Sequence, residues 1–365
     1  MDVASERYGD YVVHESLGQG GMATVHRAEQ TLRNGTVREV ALKRLLPTLK
    51  RELVTLFLDE ARLLTHLEHP NIATTFDSGR VFGTYFIAME YVRGPTLKQL
   101  VAHCAMTVGS VPQPVTLNLA TQLCDALDHA HNRCDQHGIS LGIIHRDVTP
   151  ANMLLADNGL LKVIDFGLAK ATSQTEESVA GIIKGKFGYI APEYLHGKLD
   201  RRVDLWAVGI IMYELLTSRR LFDGVDDLDT MRRVAQMPIP RPSIANPAVP
   251  PELDALVMRA LDRDPDTRWQ SAAEMREGIE AVIAQAGDRA DHHQVAEWAQ
   301  WVFGAQDRPA PPFTSTRAPA PPPVDARRAI ALPRLPIAPS SPVVIWIIAG
   351  AALLTVALVI LILAT

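Results

Sequence analysis

Residues 145–152 of the chain read HRDVTPAN, and residues 165–167 read DFG. Three further features follow in order: GYIAPE at residues 188–193, DLWAVG at residues 204–209, and Arg268. Any one of these short motifs could occur by chance, whereas the complete ordered set could hardly do so. The set therefore indicates one catalytic domain, and the rest of the sequence supplies the other parts that such a domain needs.

The region before these motifs is rich in predicted strands. Residues 53–67 have the apolar spacing of a helix, and after residue 95 the pattern becomes mainly helical. Residues 203–216 are apolar nearly all round, as in a helix that is buried on every side. The sequence thus predicts a small strand-rich lobe and a larger helical lobe. The predicted strands, which carry β-branched or aromatic alternation, are residues 11–17, 24–29, 39–44 and 85–91.

Two features of the small lobe are suited to binding phosphate. Residues 17–25 read LGQGGMATV, a glycine-rich turn between two predicted strands that would let backbone N–H groups approach an anion. Lys43 lies on an otherwise apolar strand, where its ammonium group needs an anion, and Glu60 on the following helix could supply one. Taken alone, glycine turns are common, and a strand lysine can extend its charged end to solvent.

With these residues in place, the chain resembles the eukaryotic-type protein kinase family, in the form found in bacteria as serine/threonine protein kinases. The resemblance covers residues 11–280, about three-quarters of the chain. It implies an α+β, bilobal protein kinase fold. It also implies transfer of the γ-phosphoryl group of ATP to Ser or Thr hydroxyls of protein substrates, with Mg²⁺ as the metal and Mn²⁺ as an alternative.

The resemblance assigns the ATP site mainly to the small lobe. The glycine-rich turn would fold over the phosphates, and Lys43 would bind the α- and β-phosphates while paired with Glu60. Three apolar residues would enclose the adenine ring, and the backbone of residues 90 and 92 would bind its edge. The implied nucleotide-binding residues are Leu17, Gly18, Gln19, Gly20, Gly21, Met22, Ala23, Val25, Ala41, Lys43, Glu60, Glu90, Val92 and Leu154.

The resemblance assigns the chemistry to the large lobe. Asp147 would accept the proton of the substrate hydroxyl, and Lys43 and Asn152 would act with it. Lys186 joins this predicted catalytic set through a departure from the family pattern that is described below. Asn152 and Asp165 would hold magnesium, a hard cation that prefers oxygen ligands.

Three further residues match the family in positions where we expect structural roles. Glu193 and Arg268 resemble the buried ion pair beneath the peptide-binding segment. Asp204 resembles the residue that anchors the backbone of the catalytic loop.

The chain departs from the family pattern at two places. Ala23 replaces the third glycine of the glycine-rich turn. Thr149 stands where these kinases usually have lysine, and Lys186 stands where they usually have threonine. We hypothesise a reciprocal swap, in which the ammonium group of Lys186 lies near Asp147 and the γ-phosphate with Thr149 as its hydrogen-bond partner. In the alternative interpretation Lys186 points to solvent and Thr149 only fills space.

The segment between the DFG and APE motifs carries candidate phosphorylation sites. Arg146 is a cation that a phosphate on this segment could pair with, although Glu176 and Glu177 could partly occupy basic partners already. We predict autophosphorylation in this segment. The candidate acceptors are Thr172, Ser173, Thr175 and Ser178.

Length, charge and cysteine content exclude several classes of protein. The chain has 365 residues, a net charge of -5 and three cysteines, which argues against wholesale disorder, a basic nucleic-acid-binding domain and a disulfide framework. No nucleic-acid partner is therefore expected. We predict an N-terminal extension (1–10), a kinase domain (11–285), a C-terminal helical extension (286–304), a proline-rich linker (305–342) and a transmembrane helix (343–364).

The C-terminal region predicts a membrane anchor. Prolines make up 11 of the 34 residues 309–342, which favours an extended linker, and the 22 residues 343–364 contain no charge. A helix of about 20 apolar residues spans the hydrocarbon core, and arginines before it stay on the cytoplasmic side. These features predict a single-pass protein of the cytoplasmic membrane with its kinase domain in the cytosol. The apolar run has no GxxxG motif, so the sequence leaves homodimerisation open.

Other functions are compatible with parts of this pattern. A pseudokinase scaffold would bind nucleotide or partners without turnover, and only the departures at Ala23 and Thr149 favour it. A tyrosine kinase is disfavoured because the catalytic loop lacks the arginine-containing signature of that subfamily. Thr149 does not match the lysine that is usual in serine/threonine kinases either, so the loop alone does not decide between the two. A small-molecule phosphotransferase is disfavoured because the APE segment and Arg268 belong to peptide-binding kinases.

Overall fold

The computed structural model describes residues 6–47, 49–166, 186–196 and 199–304. These residues form a strand-rich lobe that ends with the strand Thr84–Glu90 and a helical lobe that begins with the helix Leu97–Thr107. All of them lie in the first of the two units into which the chain divides, Met1–Ala318. The predicted bilobal α+β architecture is confirmed.

The predicted linker and membrane span, residues 305–342 and 343–364, lie outside the described residues. Within the described ranges, no helix has the length and apolar character that crossing a membrane requires.

The small lobe is a six-stranded antiparallel sheet with the strand order β1-β2-β3-β4-β6-β5. Sequence patterns missed two of the strands. Residues 6–8 fall in the predicted N-terminal extension, and β5 (TFDSGRV) has little apolar alternation. The elements of this lobe are β1 (Glu6–Tyr8), β2 (Tyr11–Gln19), β3 (Ala23–Thr31), β4 (Val37–Leu45), α1 (Arg51–Leu64), β5 (Thr75–Val81) and β6 (Thr84–Glu90).

Alternation along β4 decides which way Lys43 points. Val40 and Leu42 are fully buried in the apolar cluster on one face of the sheet. Ala41 belongs to the cluster on the other face, which contains Phe57 of α1. Because successive side chains of a strand point to opposite faces, Lys43 lies on the face that α1 covers.

The large lobe is organised around one buried helix. In this helix, α4 (Arg202–Thr217), every residue except Arg202 is buried, as the apolar pattern predicted. It packs against α3 (Gln113–His131), α6 (Pro242–Ala245) and α7 (Pro251–Ala260). The segment after the catalytic loop forms a small antiparallel hairpin. The elements of this lobe are α2 (Leu97–Thr107), α3 (Gln113–His131), β7 (Met153–Leu155), β8 (Leu161–Val163), α4 (Arg202–Thr217), α5 (Asp227–Gln236), α6 (Pro242–Ala245), α7 (Pro251–Ala260), α8 (Ala272–Ala286) and α9 (His292–Phe303).

The last described helix, α9, packs on the large lobe against α2 and α3. Trp298 and Val302 of α9 are buried, and Nε2 of His103 in α2 lies 2.8 Å from the carbonyl oxygen of Val302. The start of α9 passes directly over the turn between β7 and β8. Gly159 in this turn has φ +80°, and a Cβ atom there would lie 1.7 Å from the carbonyl oxygen of His292. The turn therefore needs glycine both for its backbone conformation and for the approach of α9.

One carboxyl group is buried in the second half of α4, which is otherwise free of acidic and basic side chains. Glu214 is 4% exposed, and its Oε2 accepts a hydrogen bond of 2.8 Å from the hydroxyl of Tyr189. Burial raises the pKa of Glu214 to about 7 and outweighs this hydrogen bond, which lowers the pKa. The carboxyl group therefore takes up a proton near neutral pH.

We predict that Gly159→Ala destabilises the protein more than Gly138→Ala does. Gly138 has nearly the same φ, +78°, but no atom lies within 4 Å of its added Cβ, so it reports backbone strain alone. The strain costs about 1–2 kcal/mol, and the clash with α9 adds roughly 1–3 kcal/mol at Gly159. Equilibrium unfolding in urea measures both variants, and equal losses would contradict the docking of α9 on this turn.

We predict that Glu214→Gln removes a pH-dependent component of stability. The folded state binds the Glu214 proton more tightly than the unfolded state, so its contribution is complete below pH 4.5 and is lost as the pH rises through about 7. The difference between the two pKa values corresponds to about 3 kcal/mol. The free energy of unfolding of the wild type, relative to the glutamine variant, should therefore fall between pH 5 and pH 8 by an amount of this order. A difference that stays constant with pH would show that Glu214 does not titrate in this range.

Candidate active site

The ammonium group of Lys43 joins the two lobes. Its Nζ lies 2.8 Å from Oε1 of Glu60 on α1 and 2.9 Å from Oδ1 of Asp165 in the large lobe. Burial by itself lowers the pKa of Lys43, but the charges of Asp165 and Glu60 raise it above its ordinary value. Burial likewise raises the pKa of Asp165, and the charge of Lys43 lowers it below its ordinary value. Lys43 and Asp165 are therefore both charged at neutral pH.

The catalytic loop is held by a buried carboxylate. Both oxygens of Asp204 accept backbone hydrogen bonds of 2.8 Å, from the N–H groups of His145 and Arg146. The side chain of His131 makes a third contact of 2.8 Å with the same carboxylate. Arg146 has φ +61°, an unfavourable value for a residue with a side chain, and these bonds stabilise it. The result is a fixed backbone immediately before Asp147.

Asp147 receives hydrogen bonds from two predicted site residues. Nδ2 of Asn152 lies 2.9 Å from both the carbonyl oxygen and Oδ2 of Asp147. Nζ of Lys186 lies 2.5 Å from the same Oδ2. The structure therefore brings Asp147, Asn152 and Lys186 together, although Lys186 is 34 residues beyond Asn152 in the sequence.

The hydrogen bonding of Thr149 differs from what the swap hypothesis predicts. It is 4% exposed, and among the described residues its hydroxyl has no hydrogen-bond partner, so the expected bond to Lys186 is not formed. The Lys186 ammonium group does lie beside Asp147, where the hypothesis put it, and it donates to the Asp147 carboxylate. The alternative interpretation, with Lys186 directed only to solvent, does not describe the structure.

The predicted metal ligands have the right donor chemistry for magnesium. Both N–H bonds of the Asn152 amide are directed at Asp147, so its carbonyl oxygen is the atom that can bind a cation. The backbone N–H of Ile164 donates to the backbone carbonyl of Asn152, which holds Asp165 close to this site. Magnesium is typically held by one or two carboxylates together with substrate phosphates and water, so these residues fit that ion. In the described ranges, no group of three or more His, Cys, Asp or Glu could form a metal site from protein ligands alone.

The glycine-rich turn joins β2 and β3. The N–H of Gly20 donates to the carbonyl of Ala23 over 2.8 Å, and nothing lies within 4 Å of a Cβ added at Gly18, so the turn has open space beside it. Ala23 is 5% exposed and belongs to the apolar cluster under α1. The methyl group that distinguishes Ala23 from glycine is therefore packed in the interior.

The predicted adenine-binding residues come from both lobes. Ala41 pairs with Met89 in the sheet, next to Glu90, while Leu154 lies on β7 and bridges to Thr96 just after the connection between the lobes. The side chain of Glu90 accepts a hydrogen bond of 2.9 Å from Lys162. The Glu90 side chain is thus engaged within the protein, and binding of adenine by its backbone stays a prediction. The remaining predicted residues of this site, Leu17, Gln19, Gly21, Met22, Val25 and Val92, lie on β2, β3, the turn between them or the connection after β6.

The predicted structural pair is formed. Arg268 is completely buried, and its Nη1 and Nη2 atoms lie 2.6 and 2.7 Å from the two carboxylate oxygens of Glu193. The guanidinium group also lies 5.0 Å from the ring centre of Trp206 in α4. Gly167 and the four candidate phosphorylation sites lie outside the described residues.

Sequence reasoning missed polar side chains around the site. His131 contacts the Asp204 carboxylate, and Tyr194 lies beside the segment that faces Asp147, and no motif singled either of them out. Their only sequence signal is a polar tip within an apolar pattern, which is also common in ordinary cores.

Comparison with known proteins agrees with this geometry. Residues 11–278 match the family model of the protein kinase domain. The chain is similar to the tyrosine-protein kinase MasK of Myxococcus xanthus, with 36% identity over 281 residues that cover 76% of this chain and 44% of that protein. It is similar to the serine/threonine-protein kinase PrkC of Bacillus subtilis, with 34% identity over 278 residues, 75% of this chain and 41% of that protein.

A third relative is the serine/threonine-protein kinase PknB of Mycolicibacterium smegmatis, which is 37% identical over 276 residues, 73% of this chain and 42% of that protein. The chain thus spans about two-fifths of the length of these relatives. Among solved structures, the PknI kinase domain of Mycobacterium tuberculosis gives a TM-score of 0.55 at 28% identity, covering 77% of this chain and 99% of that one. Because the matched region contains both lobes and the whole Lys43–Asp147 site, the chain belongs to the protein kinase family.

Proposed function

We propose that this protein is an ATP-dependent protein kinase that transfers the γ-phosphoryl group to serine or threonine hydroxyls of proteins. The observation that carries this proposal is the convergence of Lys43, Glu60 and Asp165 on one side of the site with Asp147 and Asn152 on the other. The first group suits binding of the phosphates, and the second places a carboxylate where it can take a proton from a hydroxyl.

Electrostatics support a site for metal-bound triphosphate. Lys43 lies between the carboxyl groups of Glu60 and Asp165; burial raises the pKa of Glu60, whereas the charge of Lys43 lowers the pKa of Asp165, so Asp165 presents the negative charge to a metal ion. Magnesium, when bound to Asn152 and Asp165, would offset the negative charge of the phosphates during transfer. The two carboxyl partners hold the Lys43 ammonium group in place within the site.

We further propose that Lys186 contacts the γ-phosphate. Among the described residues its ammonium group has one hydrogen-bond acceptor, Asp147, and its side chain is 36% exposed, so further N–H bonds are available for an anion. A cation beside the base also keeps the Asp147 carboxylate oriented. These features support a role for Lys186 in transition-state stabilisation.

The two departures from the family pattern do not favour a pseudokinase scaffold. The Ala23 methyl group is buried in the interior and not in the turn. The ammonium group of Lys186 lies beside Asp147, where a lysine on the catalytic loop would otherwise place its own. Every residue required for turnover is present, so we retain the active enzyme as the proposal.

The proposed acceptor class rests on the named relatives, and the proposed membrane context rests on the C-terminal sequence. PrkC and PknB are named serine/threonine-protein kinases, and MasK is named a tyrosine-protein kinase. We propose serine and threonine as acceptors, with autophosphorylation between the DFG and APE motifs. We also propose that residues 343–364 tether the kinase to the cytoplasmic membrane with its catalytic domain in the cytosol. The uncharged run after a proline-rich linker supports this.

We predict that Asp147→Asn lowers the turnover number by about 10²–10⁴-fold, because the general base is lost. The assay incubates the full chain with Mg-ATP and a protein acceptor and identifies the labelled amino acids. Asp157→Asn, an exposed aspartate beside Gly159, is the matched control and should retain full activity. Label on tyrosine alone would refute the proposed acceptor class, and a wild type that binds ATP without turnover would favour the scaffold. Phosphopeptide mapping of the labelled wild type tests autophosphorylation, which is refuted if residues 172–178 carry no phosphate.

We predict that Lys186→Ala lowers the turnover number by about 10²-fold, because it removes a donor to charge that develops during transfer. Affinity for ATP should also fall while affinity for ADP is retained, since ADP lacks the γ-phosphate. Lys98→Ala, an exposed lysine on α2, is the matched control for loss of a positive charge. Unchanged turnover in Lys186→Ala would refute this role.

We predict that the full chain sediments with membranes and that a protein ending at residue 342 does not. The driving force is burial of the apolar run in the hydrocarbon core. Extraction by detergent, but not by high salt or alkaline carbonate, would distinguish insertion from surface binding. Recovery of the full chain in the soluble fraction would refute the anchor.

A further inference from the structure

A small cavity lies between the catalytic loop and the segment that begins at Lys186. Its volume is about 20 Å³. Asp147 and Thr149 line it from the catalytic loop, Lys186 and Tyr194 from the segment that follows, and Ala207 from the buried helix α4. The cavity thus adjoins the two residues in which this chain departs from its family at the site of phosphoryl transfer.

Two of the residues that line this cavity carry buried hydroxyl groups with unused hydrogen-bonding capacity. Oγ1 of Thr149 and the hydroxyl oxygen of Tyr194 are both inaccessible to solvent and have no hydrogen-bond partner among the described residues. Thr149 as a whole is only 4% exposed. Buried hydroxyls in native proteins nearly always have a partner, which is often an ordered water molecule.

We infer that one water molecule occupies this cavity and joins the Thr149 hydroxyl to the Tyr194 hydroxyl and the Lys186 ammonium group. A buried water needs a cavity of at least about 10–15 Å³ and two to four polar partners, and both conditions are met here. Lys186 has N–H bonds beyond the one that it donates to Asp147, so it can donate to this water.

The water would couple the swapped residues that do not touch directly. Thr149 lies two residues after Asp147, and Lys186 donates to the Asp147 carboxylate. A water shared by Thr149, Tyr194 and Lys186 therefore fixes the direction of the Lys186 ammonium group relative to the base. Thr149 and Tyr194 are positioning residues in this arrangement. The catalytic consequence rests on the proposed kinase function, whereas the existence of the water does not.

The variant Thr149→Val distinguishes a hydrated cavity from a dry one by the sign of its effect on stability. With water present, valine removes the hydrogen bond between Thr149 and the water and leaves the buried water with one partner fewer. The melting temperature of the full chain should therefore fall. With a dry cavity, valine replaces an unpaired buried hydroxyl by a methyl group, and the melting temperature should stay constant or rise. Thr116→Val is the matched control, since Thr116 is fully buried, its hydroxyl also lacks a partner in the described structure, and it does not line this cavity.

A double-mutant cycle tests whether Thr149 and Tyr194 share one water. If they do, Thr149→Val combined with Tyr194→Phe should destabilise by clearly less than the sum of the single variants, because the first change already disrupts the bridge. Additive effects, or a crystal structure of the full chain with well-ordered water elsewhere and none in this cavity, would overturn the inference.

The activity measurement tests the positioning role. Thr149→Val should lower the turnover number about three- to tenfold, the range expected for one net hydrogen bond, with the KM for ATP unchanged. Thr149→Ser keeps the hydroxyl and should restore turnover. A Thr149→Val enzyme with wild-type turnover would refute the positioning role, whereas an inactive wild type with the stability pattern above would refute the proposed function and leave the water site standing.

Discussion

The buried carboxylate of Asp204 is the interaction on which the geometry of the site depends. It accepts hydrogen bonds from two consecutive backbone N–H groups and contacts His131, all within 2.8 Å. Burial raises the pKa of Asp204, but the bonds from His131 and the backbone lower it below its ordinary value, so the group is charged. A buried charge is tolerated only when it is fully hydrogen-bonded. The loop must therefore keep the conformation, including the left-handed Arg146, that directs Asp147 into the site.

The same helix, α4, anchors each of the segments around the catalytic loop. Asp204 holds the loop itself. Trp206 lies against the guanidinium group of Arg268, which binds Glu193. Glu214 accepts a hydrogen bond from the hydroxyl of Tyr189. Because α4 is buried on all sides, these anchors have fixed positions relative to one another. Rigid support of this kind is what a catalytic arrangement needs, since small displacements of the reacting groups cost rate.

The position of Lys186 shows that one electrostatic requirement can be met from a different place in the chain. A cation beside Asp147 is supplied from the segment after residue 185 and not from the catalytic loop. The threonine that takes the place of the loop lysine is buried and lies beside a cavity of molecular-water size. Positive charge beside Asp147 is thus present without a lysine on the catalytic loop.

The sequence by itself determined the two-lobe fold, the pairing of Lys43 with Glu60 and the identities of Asp147, Asn152 and Asp165. Those features depend on local alternation and on short motifs whose order is diagnostic. It missed β1 and β5, because edge strands with few apolar residues lack a period-two signal. Only the tertiary structure decided that Lys186, which lies beside Asp147, forms no bond to Thr149, that Tyr194 lines the same cavity, and that α9 packs over Gly159. These contacts join segments that are far apart in the chain. Whether their hydrogen bonds form depends on differences of a few tenths of an ångström in the donor–acceptor distance. The folded structure sets those distances, and a local sequence pattern does not encode them.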